Sequence, residues 1–296
     1  DTFRRIVTDT GISIIGQTKE LVPADKLLYA LRGVTGTVDN LSLIAASIMS
    51  KKLATGSDVI VLDIKTGSGS FLKEMKKAVE LAEIMIRIGQ DAGRKVAGLV
   101  TDMNQPLGTA VGNALEVKEA IQVLSENMSG DLNEVALLLA SQMILAAGIA
   151  SDETKARKKA NRALESGRAL EKLGRMIHAF GGNPNVCDNP DLLPEAASIL
   201  DVISDRGGYI HAIQTDEIGT CALLLGAGRQ KKSDTIDPAV GIVMDVRLGD
   251  KVKKGSRLAQ FHVNEEDHLN DAVLRFKTAI RITDHPPEKR PLIYKT

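Results

Sequence analysis

The sequence predicts an α/β protein with a small helical lobe near its start and a C-terminal α+β domain. Three observations carry that expectation. Short apolar runs at 59–62 and 96–100 alternate with stretches of helical period, the rhythm of right-handed βαβ crossovers. Two short helical patterns at 23–56 precede that rhythm. Beyond residue 181 glycine turns and strand-like runs replace long helices.

The elements follow in order. Residues 12–15 (Ile-Ser-Ile-Ile) read as strand-like almost at the start of the chain. Residues 23–31 read as a helix, with Pro23 at its first position and Gly33 as its stop. Asp39 or Asn40 caps a second helix, whose Leu41, Ile44, Ala45, Ile48 and Leu53 keep the helical period to Gly56. The run 59–62 between Asp58 and Asp63 reads as a buried strand of a parallel sheet. A long helix is expected at 71–92, a strand at 96–100, a polar loop at 102–108 and a helix to about residue 124. Two further helices are expected at 131–147 and 152–180. The runs at 208–213 and 241–246 read as halves of one folded-over β unit. Residues 248–259 resemble the turn of a biotinyl/lipoyl-like hammerhead, a barrel-sandwich architecture, but no Met-Lys-Met hairpin is present to carry a cofactor. A final helix at 265–279 and an extended tail complete the chain. The expected division is 23–56 as part of a helical lobe, 1–22 with 57–195 as the α/β domain, and 196–296 as the C-terminal domain.

Composition excludes several function classes. The 296 residues are 43% apolar and 26% charged, ordinary for a globular chain. Lys+Arg and Asp+Glu both count 38, so no net field gathers nucleic acid or an anionic membrane. Aromatics are 3% and Trp is absent, which argues against base-stacking platforms for single strands. The two cysteines have no metal-ligand spacing, and a reducing cytoplasm suits them. No apolar run reaches the roughly 18 residues of a membrane span. The chain opens Asp-Thr-Phe-Arg-Arg without Met, and reads as beginning inside a domain.

Three candidate sites emerge. Ser47 and Lys51 are four residues apart on one helix face, and Arg32 ends the preceding helix. Arg and Lys supply only donors while Ser both donates and accepts, a set that suits a small flat ligand with carbonyl oxygens, such as uracil or thymine. Taken singly, each has a commonplace role: a lysine or arginine complementing a helix C-terminus, a serine packed between helices. Their convergence within twenty residues raises the odds. The turn 65–70 (Lys-Thr-Gly-Ser-Gly-Ser) leaves a strand and precedes a helix, where amides can cradle an anion, although a plain tight turn is the commoner outcome. The loop 101–110, with Glu119 on the following helix, offers oxygen ligands to a hard cation such as potassium or calcium; a solvated loop is the ordinary alternative.

Four motifs together, Tyr29-Ala-Leu-Arg32…Ser47-Ile-Met-Ser-Lys51-Lys52, Val61-Leu-Asp-Ile-Lys-Thr-Gly-Ser-Gly, Thr101-Asp-Met-Asn-Gln-Pro-Leu107-Gly and Gly226-Ala-Gly-Arg229…Asp234-Thr-Ile-Asp237, resemble the thymidine/pyrimidine-nucleoside phosphorylase family. The resemblance implies reversible phosphorolysis of pyrimidine nucleosides (uridine, thymidine, deoxyuridine) in salvage, with phosphate as co-substrate and a homodimeric enzyme. It implies that Arg32, Ser47 and Lys51 bind the base, with Arg32 and Lys51 acting on the leaving group. It also implies that Leu107 and Ala110, through their carbonyls, and Glu119 coordinate potassium. Gly33 and Gly36 depart from the family's usual Arg-Asp-Val-Thr-Ala-Thr-Val, as does Asp39-Asn-Leu-Ser from its usual Ser-Ile-Pro. Both departures would loosen the loop that aims Arg32. The family's phosphate-binding Lys-His-Ser and Ser-Gly-Arg-Gly stretches have no match in these residues, so the expectation is the nucleobase half of an active site. The rival expectations are a catalytically silent nucleobase-binding module and an anthranilate phosphoribosyltransferase relative. The C-terminal β domain and the Arg/Ser/Lys set speak against the second.

Overall fold

The computed structural model describes residues 2–14, 22–37, 40–231 and 233–295. Its first element is a helix, α1 (Thr2–Thr10), not a strand. Residues 12–14 have no regular structure, and Ile15 lies outside the described residues. The reason is partnership: α1 buries Ile6 and packs on a later helix, whereas Ile12 and Ile14 have no neighbouring strand among the described residues to complete a ladder.

Helix α2 spans Pro23–Thr35 and runs past Gly33. A glycine inside a helix costs only about 1 kcal/mol. What ends the helix is a left-handed residue, and Gly36 takes that conformation (φ 65°) while its N–H bonds to Arg32 O. Helix α3 (Leu41–Ala54) begins where the sequence predicts, with Asn40 Oδ1 accepting from Leu43 N at 3.1 Å. Asp39, the other candidate cap, lies outside the described residues. Ala45 and Met49 of α3 are fully buried against strand β1 (Val59–Thr66) and helix α4 (Met75–Asp91).

Strand β1 lies parallel to β2 (Lys95–Asp102), with Val59 opposite Lys95 and Thr66 opposite Asp102. Helix α4 starts four residues later than its apolar pattern, because the Ser70 hydroxyl accepts from Leu72 N and donates to Lys65 O, holding 70–72 in a turn. After a short strand β3 (Ala110–Val111) come α5 (Asn113–Glu126) and α6 (Asp131–Ala146). The single helix expected over 152–180 is two, α7 (Glu153–Glu165) and α8 (Arg168–Ala179), broken where Gly167 turns left-handed (φ 73°). The break lets both halves pack: α7 lies along α6, and α8 supports α1 and α5.

The C-terminal half contains β4 (Ser198–Ile203), β5 (Gly208–Ile213), α9 (Thr215–Ala222), β6 (Gly241–Met244), β7 (Lys251–Val252), β8 (Arg257–Val263), α10 (Leu269–Ala279), β9 (Ile280–Thr283) and β10 (Ile293–Lys295). Strands β5 and β6 are not halves of one ladder. One sheet runs β3-β6-β8-β4 and another β7-β5-β9. Both sheets contribute to one core, in which Ile210, Ile242 and Phe261 are fully buried and Phe276 of α10 meets Phe261 edge-on at 5.2 Å. The turn at 253–256 carries the chain from β7 in one sheet to β8 in the other, the hammerhead connection expected from sequence.

Two strands cross between the halves. β3 pairs with β6, and the tail strand β10 pairs antiparallel with β2. Tyr294 in β10 donates to Asp102 Oδ1 at 2.7 Å, and burial together with that carboxylate pushes its phenol up to about 12. Among the described residues no helix is long and apolar enough to cross a membrane. Both cysteines, Cys187 and Cys221, are free and buried.

Candidate active site

Helices α2 and α3 form a hairpin whose inner face collects four polar side chains. Lys51 Nζ lies 2.6 Å from Asp25 Oδ2, 3.0 Å from Ser47 Oγ and 3.0 Å from Ser47 O. Ser47 Oγ donates to Asp25 Oδ2 at 3.1 Å. Arg32 is 6% exposed; its Nη1 donates to Leu43 O at 3.5 Å and its guanidinium carbon sits 5.2 Å over the Tyr29 ring. The expected Ser47–Lys51 pair is thus in direct contact, and Arg32 is close enough to bear on the same carboxylate.

Asp25 is the residue that sequence reading missed. Burial pushes its carboxyl up, but hydrogen bonds from Lys51 and Ser47 and the charges of Lys51 and Arg32 outweigh that and hold it below the usual aspartate range. An acid in the first turn of a helix reads as a macrodipole complement and draws no notice. The available signal was its spacing: Asp25 and Arg32 are seven apart, two turns along one helix face, and that face meets Ser47 and Lys51.

The loop between β2 and β3 is held from two sides. Glu119 of α5 takes Thr109 N (2.6 Å) and Thr109 Oγ1 (2.7 Å) on one oxygen and Ala110 N (3.1 Å) on the other. Gly108 permits this approach, since a Cβ there would stand 2.1 Å from Glu119 Oε2. From the opposite side Arg247, just beyond β6, donates to the carbonyls of Pro106 (2.7 Å), Gly108 (2.8 Å) and Leu107 (3.3 Å), and to Asp131 Oδ2 (2.8 Å). The loop is therefore rich in oxygen, as expected, but the Leu107 carbonyl already faces a guanidinium. No sequence pattern linked Arg247 to this loop, because 140 residues separate it from Leu107. Among the described residues no group of three or more His, Cys, Asp or Glu could hold a metal.

The glycine turn after β1 is not an anion cradle. Its four amides are taken: Gly67 N by Leu72 O, Ser68 N by Asn104 Oδ1, Gly69 N by Met103 O and Ser70 N by Gly67 O. The turn instead docks the C-terminal half, with Ser68 Oγ donating to Ile213 O at 2.7 Å and Lys73 paired with Asp216 at 2.8 Å. The mixed-charge segment near Arg229 is self-satisfied: Arg229 Nε bonds to Asp234 O, and Asp234 Oδ2 accepts from the amides of Gln230 and Lys231.

A cavity of about 610 Å³ lies away from the α2–α3 cluster, between the carboxyl end of β2 and the C-terminal half, and its walls include Asp102, His211 and Asp250. A cavity of about 360 Å³ opens between α3 and β1, walled by Ile44, Ile48, Lys52, Asp63 and Lys65. Helix α3 thus presents the polar cluster to α2 and borders open space on the sheet side.

Comparison with known proteins agrees with the motifs. The model of the glycosyl transferase family, a/b domain, matches residues 1–170, and that of the pyrimidine nucleoside phosphorylase C-terminal domain matches residues 209–283. Pyrimidine-nucleoside phosphorylases of Staphylococcus aureus strains USA300 and COL are each 46% identical over 284 residues, and that of strain bovine RF122 / ET3-1 is 45% identical over the same length. Each match covers 96% of this chain and 65% of the relative, so the chain spans about two thirds of the length of those relatives.

Proposed function

Because the chain belongs to the glycosyl transferase family whose a/b domain its first 170 residues match, we propose that it works in the reversible phosphorolysis of pyrimidine nucleosides, and that its α2–α3 cluster holds the base. The observation that supports this most directly is the convergence of buried Arg32 and Ser47 and half-buried Lys51 around one carboxylate. Similarity to pyrimidine-nucleoside phosphorylases over 96% of the chain supports the reaction class.

In this reading the bond between C1′ and the base nitrogen breaks, its electron pair leaves with the base, and a phosphate oxygen forms the new bond to C1′. The products are free uracil or thymine and ribose or deoxyribose 1-phosphate. Negative charge grows on the ring carbonyls as the base departs. Arg32 and Lys51 donate to those oxygens, and donors placed for charge that appears only in the transition state accelerate the reaction. A hydrogen bond to a charged group contributes roughly 1.5–3 kcal/mol, about one to two decades of rate. Lys51 spends its three N–H donors on Asp25 and on two oxygens of Ser47, so it exchanges one of these for the base. Closure of the lobe at 23–56 onto the α/β domain would bring base and phosphate together.

Potassium belongs to the same reading. Leu107 and Ala110 carbonyls with the Glu119 carboxylate would give an all-oxygen donor set once Leu107 O exchanges its 3.3 Å contact with Arg247 for the cation, and the bare Gly108 lets that carboxylate approach the loop. A bound cation there would supply fixed charge to the loop. The division into lobe (23–56), α/β domain (1–22 and 57–195) and C-terminal domain (196–296), a homodimer, and a cytoplasmic location complete the proposal. The test is uracil release from uridine by the intact protein, with and without phosphate. Phosphate-dependent release supports the reading; base binding without any release would favour a silent binding module and overturn it.

A further inference from the structure

The hydrogen-bond inventory of Ser47 carries more than a generic polar contact. A serine hydroxyl has one proton to donate and two lone pairs to accept with. Its proton goes to Asp25 Oδ2 at 3.1 Å, and one lone pair receives Lys51 Nζ at 3.0 Å. Asp25 is ionised at neutral pH, held low by Lys51, Ser47 and Arg32 against the effect of burial, so it only accepts. The Ser47 proton therefore has a fixed destination. Among the described residues the second lone pair has no partner, and with its proton committed Ser47 can meet a ligand only as an acceptor.

We propose that Asp25 sets the polarity of Ser47 and so makes this site select pyrimidines that carry a hydrogen on N3. The inference rests on the base-binding reading of the α2–α3 cluster. Uracil and thymine present N3–H, a donor that the open lone pair accepts. Cytosine presents an N3 lone pair, which faces the Ser47 lone pair and finds no proton. Rejecting a ligand by an unmatched buried polar group is more selective than adding contacts to the favoured one. Asp25 is a positioning residue here: it touches Ser47 and Lys51, and acts on the base through Ser47.

The experiment measures binding of free uracil and free cytosine by calorimetry to the intact protein and to variants whose folding is checked by thermal melting. The parent protein binds uracil in preference to cytosine. Asp25→Ala frees the hydroxyl to turn its proton toward N3, and the uracil-to-cytosine affinity ratio falls at least about tenfold. Asp25→Asn, whose amide oxygen still accepts the Ser47 proton, keeps most of the ratio. In a Ser47→Ala background, where the hydroxyl is gone, adding Asp25→Ala changes the ratio no further. If the ratio survives Asp25→Ala, or collapses equally in Asp25→Asn, or falls again in the double variant, Asp25 does not act through Ser47 and the inference is overturned. If the parent protein binds no uracil, the base-binding reading itself fails, a result distinct from these.

Discussion

Lys51 Nζ lies 2.6 Å from Asp25 Oδ2, joining the last turn of α3 to the first turn of α2. This contact closes the helical hairpin on the face where the base is proposed to bind. It ties stability and recognition to the same pair of charges.

The pair gives stability an acid limb. Asp25 is held below its ordinary range when folded, so its contribution is present at neutral pH and is lost as pH falls through the carboxylate range toward the folded value. Urea midpoints of the parent protein should fall on acidification across that window. Those of Asp25→Asn should fall less, and parallel curves would show that the pair contributes nothing to the acid limb.

Replacing Lys51 removes the donor proposed for the departing base. In the intact enzyme Lys51→Met should lower kcat/KM for uridine by at least about tenfold. Near-parental turnover in a folded variant would place the charge stabilisation elsewhere.

Potassium should raise the melting temperature more than sodium at equal ionic strength, because a ligand of the folded state stabilises by mass action. Glu119→Ala should abolish that difference. An unchanged potassium response would put the cation at another place or remove it from the account.

Gly108→Ala tests the same loop from the backbone. Its Cβ would stand 2.1 Å from Glu119 Oε2 and 2.7 Å from Glu119 Cδ, so the carboxylate must withdraw. The variant should reproduce the Glu119→Ala phenotype in the potassium titration, and a normal titration would show that Glu119 need not approach this closely.

Arg247 is the prediction about architecture. Arg247→Met leaves the carbonyls of residues 106–108 without this donor and Asp131 without one of its donors. It should cost roughly 2–4 kcal/mol in urea unfolding. Arg247→Lys should recover only part, since a point ammonium cannot span the carbonyls and Asp131 together. A loss below about 0.5 kcal/mol in Arg247→Met would mean that water replaces the guanidinium freely.

Local chemistry in the sequence was enough for much of this molecule. Asn40 as a cap, the apolar run ahead of Asp63 and the Ser47/Lys51 spacing each follow from interactions within a few residues, and each appears where expected. Errors arose where two local outcomes were nearly equal in energy. Gly33 and Gly36 both could have ended α2, and only the latter supplies the left-handed turn. A helix pattern over 152–180 was sound in period, yet packing of α7 on α6 and of α8 on α1 and α5 required a break at Gly167.

By itself, then, the sequence determined the alternation of strands and helices, the hairpin that carries Arg32, Ser47 and Lys51, and the family, because these depend on short-range periodicity and on motifs of contiguous residues. Tertiary structure alone decided that Asp25 completes the cluster, that Arg247 grips a loop 140 residues away, that the amides at 67–70 are spent on internal bonds, and that β5 and β6 lie in different sheets. Each of these is a question of which distant donor meets which acceptor or which strand meets which edge. Burial presses most such groups to find a partner, but only the folded chain specifies the partner.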